Sequence, residues 1–165
     1  MWMMIWMFGC GSPEVSSEPA PAPAPAPVAY WVERTDEQLD EHLRTTCEAA
    51  VEASQPVLLA FSAPWCIDCK KLRSLAEQPP AAAELEGWQK VVIDVGRFER
   101  HEALRHHFQV ASIAYLVALR PTDCTQPVTA WPVLAKGPFE PVSRDDGVRT
   151  PEALATWLSA ARSDG

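Results

Sequence analysis

Cys66 and Cys69 stand three apart in Trp65-Cys66-Ile67-Asp68-Cys69, after the apolar run Val57-Leu58-Leu59-Ala60-Phe61 and before Lys70-Lys71-Leu72-Arg73-Ser74-Leu75. The pattern predicts a strand turning into a helix with a dithiol at the junction. Residues three apart on a helix share a face, with Cβ atoms roughly 5–6 Å apart, so a small adjustment joins or separates the two sulfurs. That spacing suits a reversible disulfide. Cys66 would stand at the helix start, where unpaired N–H groups and the helix dipole favour the thiolate that attacks a disulfide. Cys69, one turn further in, would be the resolving thiol. The charge of Asp68 would raise the pKa of Cys66 and oppose the dipole, while an acid in the first turn steadies the helix.

The same residue types have other uses. Cys-x-x-Cys is also half of many zinc sites, and His101, His106 and His107 could complete one with the dithiol. There is no second Cys-x-x-Cys, so the histidines are read as surface residues and no metal is expected. Lys70 and Lys71 read as a solvated face. Trp65 could touch substrate or simply pack beside the strand end.

The remaining composition bounds the partners. The chain has 165 residues, and its 22 acidic against 14 basic side chains leave a net charge of −8. Neither nucleic acid nor an anionic membrane surface finds enough cations on such a chain, so proteins are the expected partners. Sixteen prolines are unevenly placed. Residues 1–10, Met1-Trp2-Met3-Met4-Ile5-Trp6-Met7-Phe8-Gly9-Cys10, form an apolar run shorter than the roughly 20 residues that span a bilayer. They read as an export signal peptide. The ending Gly9-Cys10 resembles a bacterial lipoprotein signal, which implies lipidation at Cys10. Met7 and Phe8 depart from that pattern, as does the absence of Lys or Arg before the run. Residues 11–27 form a Pro/Ala-rich linker with no apolar face, whose Pro-Ala repeat Pro19 to Pro27 favours polyproline II at about 3.1 Å per residue. Residues 28–165 form the folded domain.

Within it, Val28-Ala29-Tyr30-Trp31-Val32 reads as a short strand. Thr35 and Gln38 make a capping box for a helix through Leu39, Leu43, Cys47, Ala50 and Val51 to Ser54. Val57 to Phe61 is a buried central strand. The dithiol helix runs to Gln78, where Pro79-Pro80 stops it. Trp88 to Val95 is a strand, Arg100 to Phe108 a helix, and Ile113 to Leu119 another apolar strand. Val128 to Leu134 is an edge strand containing Pro132. Thr150 and Pro151 open a final helix.

This order, with Ala63-Pro64-Trp65-Cys66-Ile67-Asp68-Cys69-Lys70 after the apolar strand, resembles the thioredoxin family along Val28 to Arg162. Val92-Ile93-Asp94-Val95-Gly96-Arg97-Phe98 is similar to the third-strand region of exported bacterial members. The resemblance implies an α/β thioredoxin fold: a mixed sheet of four to five strands with helices on both faces. Two residues depart from the family pattern. Ala114 stands where members carry a cis-proline facing the dithiol; a cis bond before alanine costs about 2.5–4 kcal/mol, so Ile113–Ala114 is expected to be trans with a reshaped loop. Ala60 replaces the buried Asp that assists the resolving cysteine, leaving Cys69 to water or another base. The arrangement also brings Cys47 and Cys124 toward the pole opposite the dithiol, where they read either as a structural disulfide or as two unrelated buried thiols, with helix phase deciding whether Cys47 turns into the core.

The function implied is an exported thiol–disulfide oxidoreductase of the cell envelope, tethered to a membrane as a lipoprotein facing the periplasm or, where the N-terminal run is an ordinary cleaved signal, soluble in the periplasm or secreted. Its partners would be client proteins with disulfides or thiols and a membrane or periplasmic electron donor; it would need no cofactor. With Asp68 between the cysteines, Cys66 is expected nearer the pKa of about 7 of thioredoxin than the 3.5 of the oxidant DsbA, favouring a reductase or isomerase. The alternative is a non-catalytic module in which the loop at Ala114 binds protein or metal.

Overall fold

The computed structural model describes residues 29–145 and 148–163. The export-signal, Cys10 and linker readings fall outside the described residues. Helix α1 (Asp36–Ala53) begins where expected: Thr35 Oγ1 accepts the Gln38 amide and Gln38 Oε1 accepts the Thr35 amide. Its buried stripe of Leu39, Leu43, Cys47 and Ala50 repeats every three to four residues, which turns one face of the helix to the core. Ser54 in the left-handed region then ends it.

Four strands follow in the spatial order β2-β1-β3-β4. β1 (Val57–Ser62) pairs in parallel with β2 (Gln89–Asp94) and antiparallel with β3 (Tyr115–Leu119), which pairs antiparallel with β4 (Val133–Pro138). β1 and β3 are interior strands and nearly every residue of each is buried, as their unbroken apolar runs require. β4 is a half-exposed edge. Phe61 and Phe108 meet on one side of the sheet with ring centres 6.2 Å apart. Helix α2 (Ile67–Ala76) carries the dithiol, and α4 (Glu102–Phe108) and α5 (Pro151–Ser163) complete the layers with the short α3 (Ala81–Leu85).

Three expectations need correction. Residues 29–32 are not a strand: Trp31 instead donates its indole N–H to Ser62 Oγ at 2.8 Å, and Arg73 lies 4.5 Å above the Tyr30 ring. Side-chain contacts, rather than a ladder, hold this segment across the end of β1. The edge strand begins later than Val128, because Val128–Ala130 form a turn of 3-10 helix. Pro132 has no N–H for a ladder, but its carbonyl accepts the Arg120 amide at 2.9 Å, so it guides the chain into β4 from just outside. Helix α3 was not anticipated. Pro79-Pro80 ends α2, yet the Gln78 carbonyl accepts the Ala82 amide at 2.9 Å and a new turn starts at once.

At the pole away from the dithiol, a disulfide joins Cys47 of α1 to Cys124, with Cα atoms 5.6 Å apart. The register explains the meeting: Val57 at the start of β1 lies opposite Leu119 at the end of β3, so the chain leaving β3 emerges beside the end of α1.

Candidate active site

Cys66 is the N-cap of α2 in extended conformation, and its Sγ accepts the Cys69 amide at 3.0 Å. An N-cap acceptor satisfies one of the unpaired N–H groups of the first turn; in the reduced protein that amide and the helix dipole would stabilise a thiolate on Cys66. The two cysteines are joined in the structure, with Cα atoms 5.2 Å apart. Cys66 lines a cleft of about 500 Å³, whereas Cys69, in the first turn of α2, is buried and is not part of its lining. Trp65, Asp68, Phe98, Ser112, Ile113 and Ser143 line it with Cys66.

Trp65 is half exposed and fixed in place. Its indole N–H donates to the Gly96 carbonyl at 2.7 Å, and its ring leans on Phe98 with centres 6.2 Å apart. Gly96 adopts φ +58°, a conformation that L side chains rarely take, so the turn that presents this carbonyl favours glycine. Asp94, at the end of β2, accepts the Gly96 amide at 2.9 Å, and its other oxygen accepts from Arg100 at 3.0 Å. Arg100 in turn pairs with Glu33 at 2.7 Å, which holds its guanidinium pKa above the ordinary value. A chain of contacts therefore runs from Glu33 through Arg100, Asp94 and Gly96 to the tryptophan beside the dithiol.

The Ile113–Ala114 peptide is cis, not trans as the sequence suggested. Both residues are buried, and the Ala114 carbonyl accepts the Phe139 amide at 2.7 Å just beyond β4. Packing and that hydrogen bond hold the segment against the cleft, a tertiary constraint that local backbone preference does not contain.

Asp68 is held by a segment far along the chain. Its side chain is buried and turned away from solvent: Oδ1 accepts the amides of Val142 at 2.7 Å and Ser143 at 3.0 Å, and Oδ2 accepts the Ser143 hydroxyl at 2.5 Å. Burial pushes the carboxyl pKa up, but these three donors outweigh it and hold the group below the usual carboxylate range. Sequence reasoning singled out Asp68 for its charge and missed Val142 and Ser143. A carboxylate in an unusual place was the available signal; its partners lie 74 and 75 residues away.

Ala60 is partly buried in β1, facing an apolar hollow with Leu58, Leu72 and Leu116. Lys70 and Lys71 are exposed, as read. The histidines divide: His106 and His107 are exposed, but His101 is buried and its Nδ1 lies 2.6 Å from Asp36 Oδ1, joining the start of α1 to the start of α4. Among the described residues no group of three His, Cys, Asp or Glu side chains is placed to hold a metal ion.

The thioredoxin family model matches residues 37–127. Among solved structures, a disulphide isomerase from Xylella fastidiosa Temecula1 superposes with a TM-score of 0.53 at 20% identity, covering 84% of this chain and 88% of that one. The C-terminal domain of Neisseria meningitidis DsbD in its reduced form gives 0.54 at 20% identity, covering 74% and 96%. The oxidised form of that domain gives 0.53 at 18% identity, covering 79% and 100%. These likenesses concern the fold. No curated protein sequence is a significant match.

Proposed function

Because this chain belongs to the thioredoxin family and is a thiol–disulfide oxidoreductase, we propose that it works as an exported reductase or isomerase of protein disulfides, tethered to a membrane by its N-terminal segment. The observation that carries the direction of the chemistry is the dithiol at the cap of α2, with Cys66 alone opening on the cleft. The Cys66 thiolate attacks one sulfur of a client disulfide. A mixed disulfide forms and the other client sulfur leaves as a thiolate. Cys69, deprotonated by water or another base, then attacks Cys66; the second client sulfur leaves, and the Cys66–Cys69 disulfide remains. The client gains two electrons, and a thiol donor in the envelope returns them to the chain. Asp68, ionised in the first turn, opposes the thiolate on Cys66 and favours a nucleophile of moderate acidity over that of a strong oxidant.

Two features support the location. The apolar residues 1–10 with Gly9-Cys10 and the Pro/Ala segment 11–27 suit a lipid-anchored tether. The Cys47–Cys124 disulfide suits an oxidising compartment, where such bonds persist. Insulin reduction with dithiothreitol tests the chemistry: wild type should accelerate it and Cys66→Ser should not. Fractionation of cells labelled with a palmitate analogue tests the anchor, with label lost in Cys10→Ala. Equal insulin reduction by wild type and Cys66→Ser would refute the dithiol mechanism.

A further inference from the structure

The Asp68 carboxylate is spoken for. One oxygen takes two backbone N–H groups and the other takes a hydroxyl, all from residues 142 and 143. A group so occupied is poorly placed to shuttle protons; besides its charge, what it offers the site is its hold on that segment. That segment follows β4 and is anchored at its start, where the Phe139 amide meets the Ala114 carbonyl and the Phe139 ring meets Trp157 at 4.8 Å. Beyond Pro141, the bonds to Asp68 tie it to the dithiol helix.

The consequence is a rim. Ser143 lines the cleft together with Cys66, Ser112 and Ile113, and Val142, just before it in the chain, is half exposed. Of the five large apolar side chains exposed among the described residues, three, Trp65, Ile67 and Val142, belong to the dithiol turn or to the segment that Asp68 holds. Apolar surface gathered at one place marks a contact with a partner. Building on the reductase reading, we propose that Asp68 is a positioning residue that keeps Ser143 in the lining of the client cleft and the exposed Val142 beside it, and that this rim selects clients presenting an apolar side chain beside the disulfide.

The test uses two disulfide-bonded peptides, alike except for Leu or Asp next to the attacked cysteine, with steady-state reduction by the full chain and dithiothreitol as donor. Wild type should favour the Leu peptide. Asp68→Ala should raise KM for the Leu peptide by about tenfold, the change expected from losing charge-assisted hydrogen bonds that order a binding segment, and should abolish the preference, with the loss falling on KM more than on kcat. Asp68→Asn keeps an oxygen for the two amides and should restore most of it. Hydrogen exchange at the Val142 and Ser143 amides should be slow in wild type and Asp68→Asn and fast in Asp68→Ala, a readout that general destabilisation would not confine to these two residues. If Asp68→Ala does not fold, Ser143→Ala and Val142→Asp carry the test, the latter by reversing the preference. A wild type that reduces both peptides equally well overturns this inference and leaves the reductase reading intact; so does Asp68→Ala with released amides and an unchanged preference. A wild type that reduces neither peptide refutes the reductase reading itself, and the inference falls with it.

Discussion

Replacing both members of the Cys47–Cys124 pair by alanine should cost more stability than a typical single core change. The bond closes a loop with a sequence separation of 77. In the chain-entropy model a loop of that length restricts the unfolded chain by about 15 cal/mol/K, or about 4.5 kcal/mol at 25 °C. Cys47 is fully buried among the residues of α1 and the sheet, so the two lost sulfurs add about 1 kcal/mol through the space they leave. Against a total stability of about 5–15 kcal/mol, Cys47→Ala/Cys124→Ala should lower the urea midpoint strongly and the melting temperature by about 15 °C. The measurement is equilibrium urea unfolding of the oxidised proteins, with Cys66→Ala/Cys69→Ala as internal control, since so short a ring restricts the unfolded chain far less. A loss below about 1 kcal/mol in the Cys47/Cys124 variant, with peptide mapping that shows the bond intact in wild type, would refute the reasoning that loop closure stabilises this fold.

After brief reduction, alkylation near neutral pH should label Cys66 well before Cys69, because only Cys66 opens on the cleft; mass spectrometry that found Cys69 labelled first would reverse the assigned roles. The lowered pKa of Asp68 carries a pH signature: its folded-state value lies below its unfolded one, so its contribution is fully present above the unfolded carboxyl pKa and is lost as pH falls through the folded one. Asp68→Asn should therefore flatten the acid limb of the stability profile relative to wild type, and an unchanged limb would count against the three-donor account. Thr35→Ala removes the capping-box acceptor of α1 and should cost about 1 kcal/mol by urea unfolding; an unchanged midpoint would show that the cap does not hold the helix start.

Much of this protein is decided by short-range rules that a chain displays openly. The capping box at Thr35, the apolar stripe of α1, the unbroken runs of β1 and β3, and a dithiol three residues apart after a strand are each set by neighbours within a turn or two, so periodicity and residue type suffice to place them. The dithiol chemistry was legible for the same reason: both sulfurs lie on one turn. What escaped is non-local. The bond at Ile113–Ala114 is cis in a buried segment held by Phe139, against the backbone preference that sequence reasoning must use. Val28 to Val32 has the residues of a strand, but the described part is drawn instead into contacts with Ser62 and Arg73. His101, polar and flanked by charge, is buried because Asp36 lies 2.6 Å away across the fold. Asp68 was noticed for its charge between the cysteines, yet its work depends on donors from beyond β4, brought near only when the sheet closes. Charge can be read along a chain, but which groups answer that charge is decided by the packing of distant segments, and so only the tertiary structure decided the walls of the cleft.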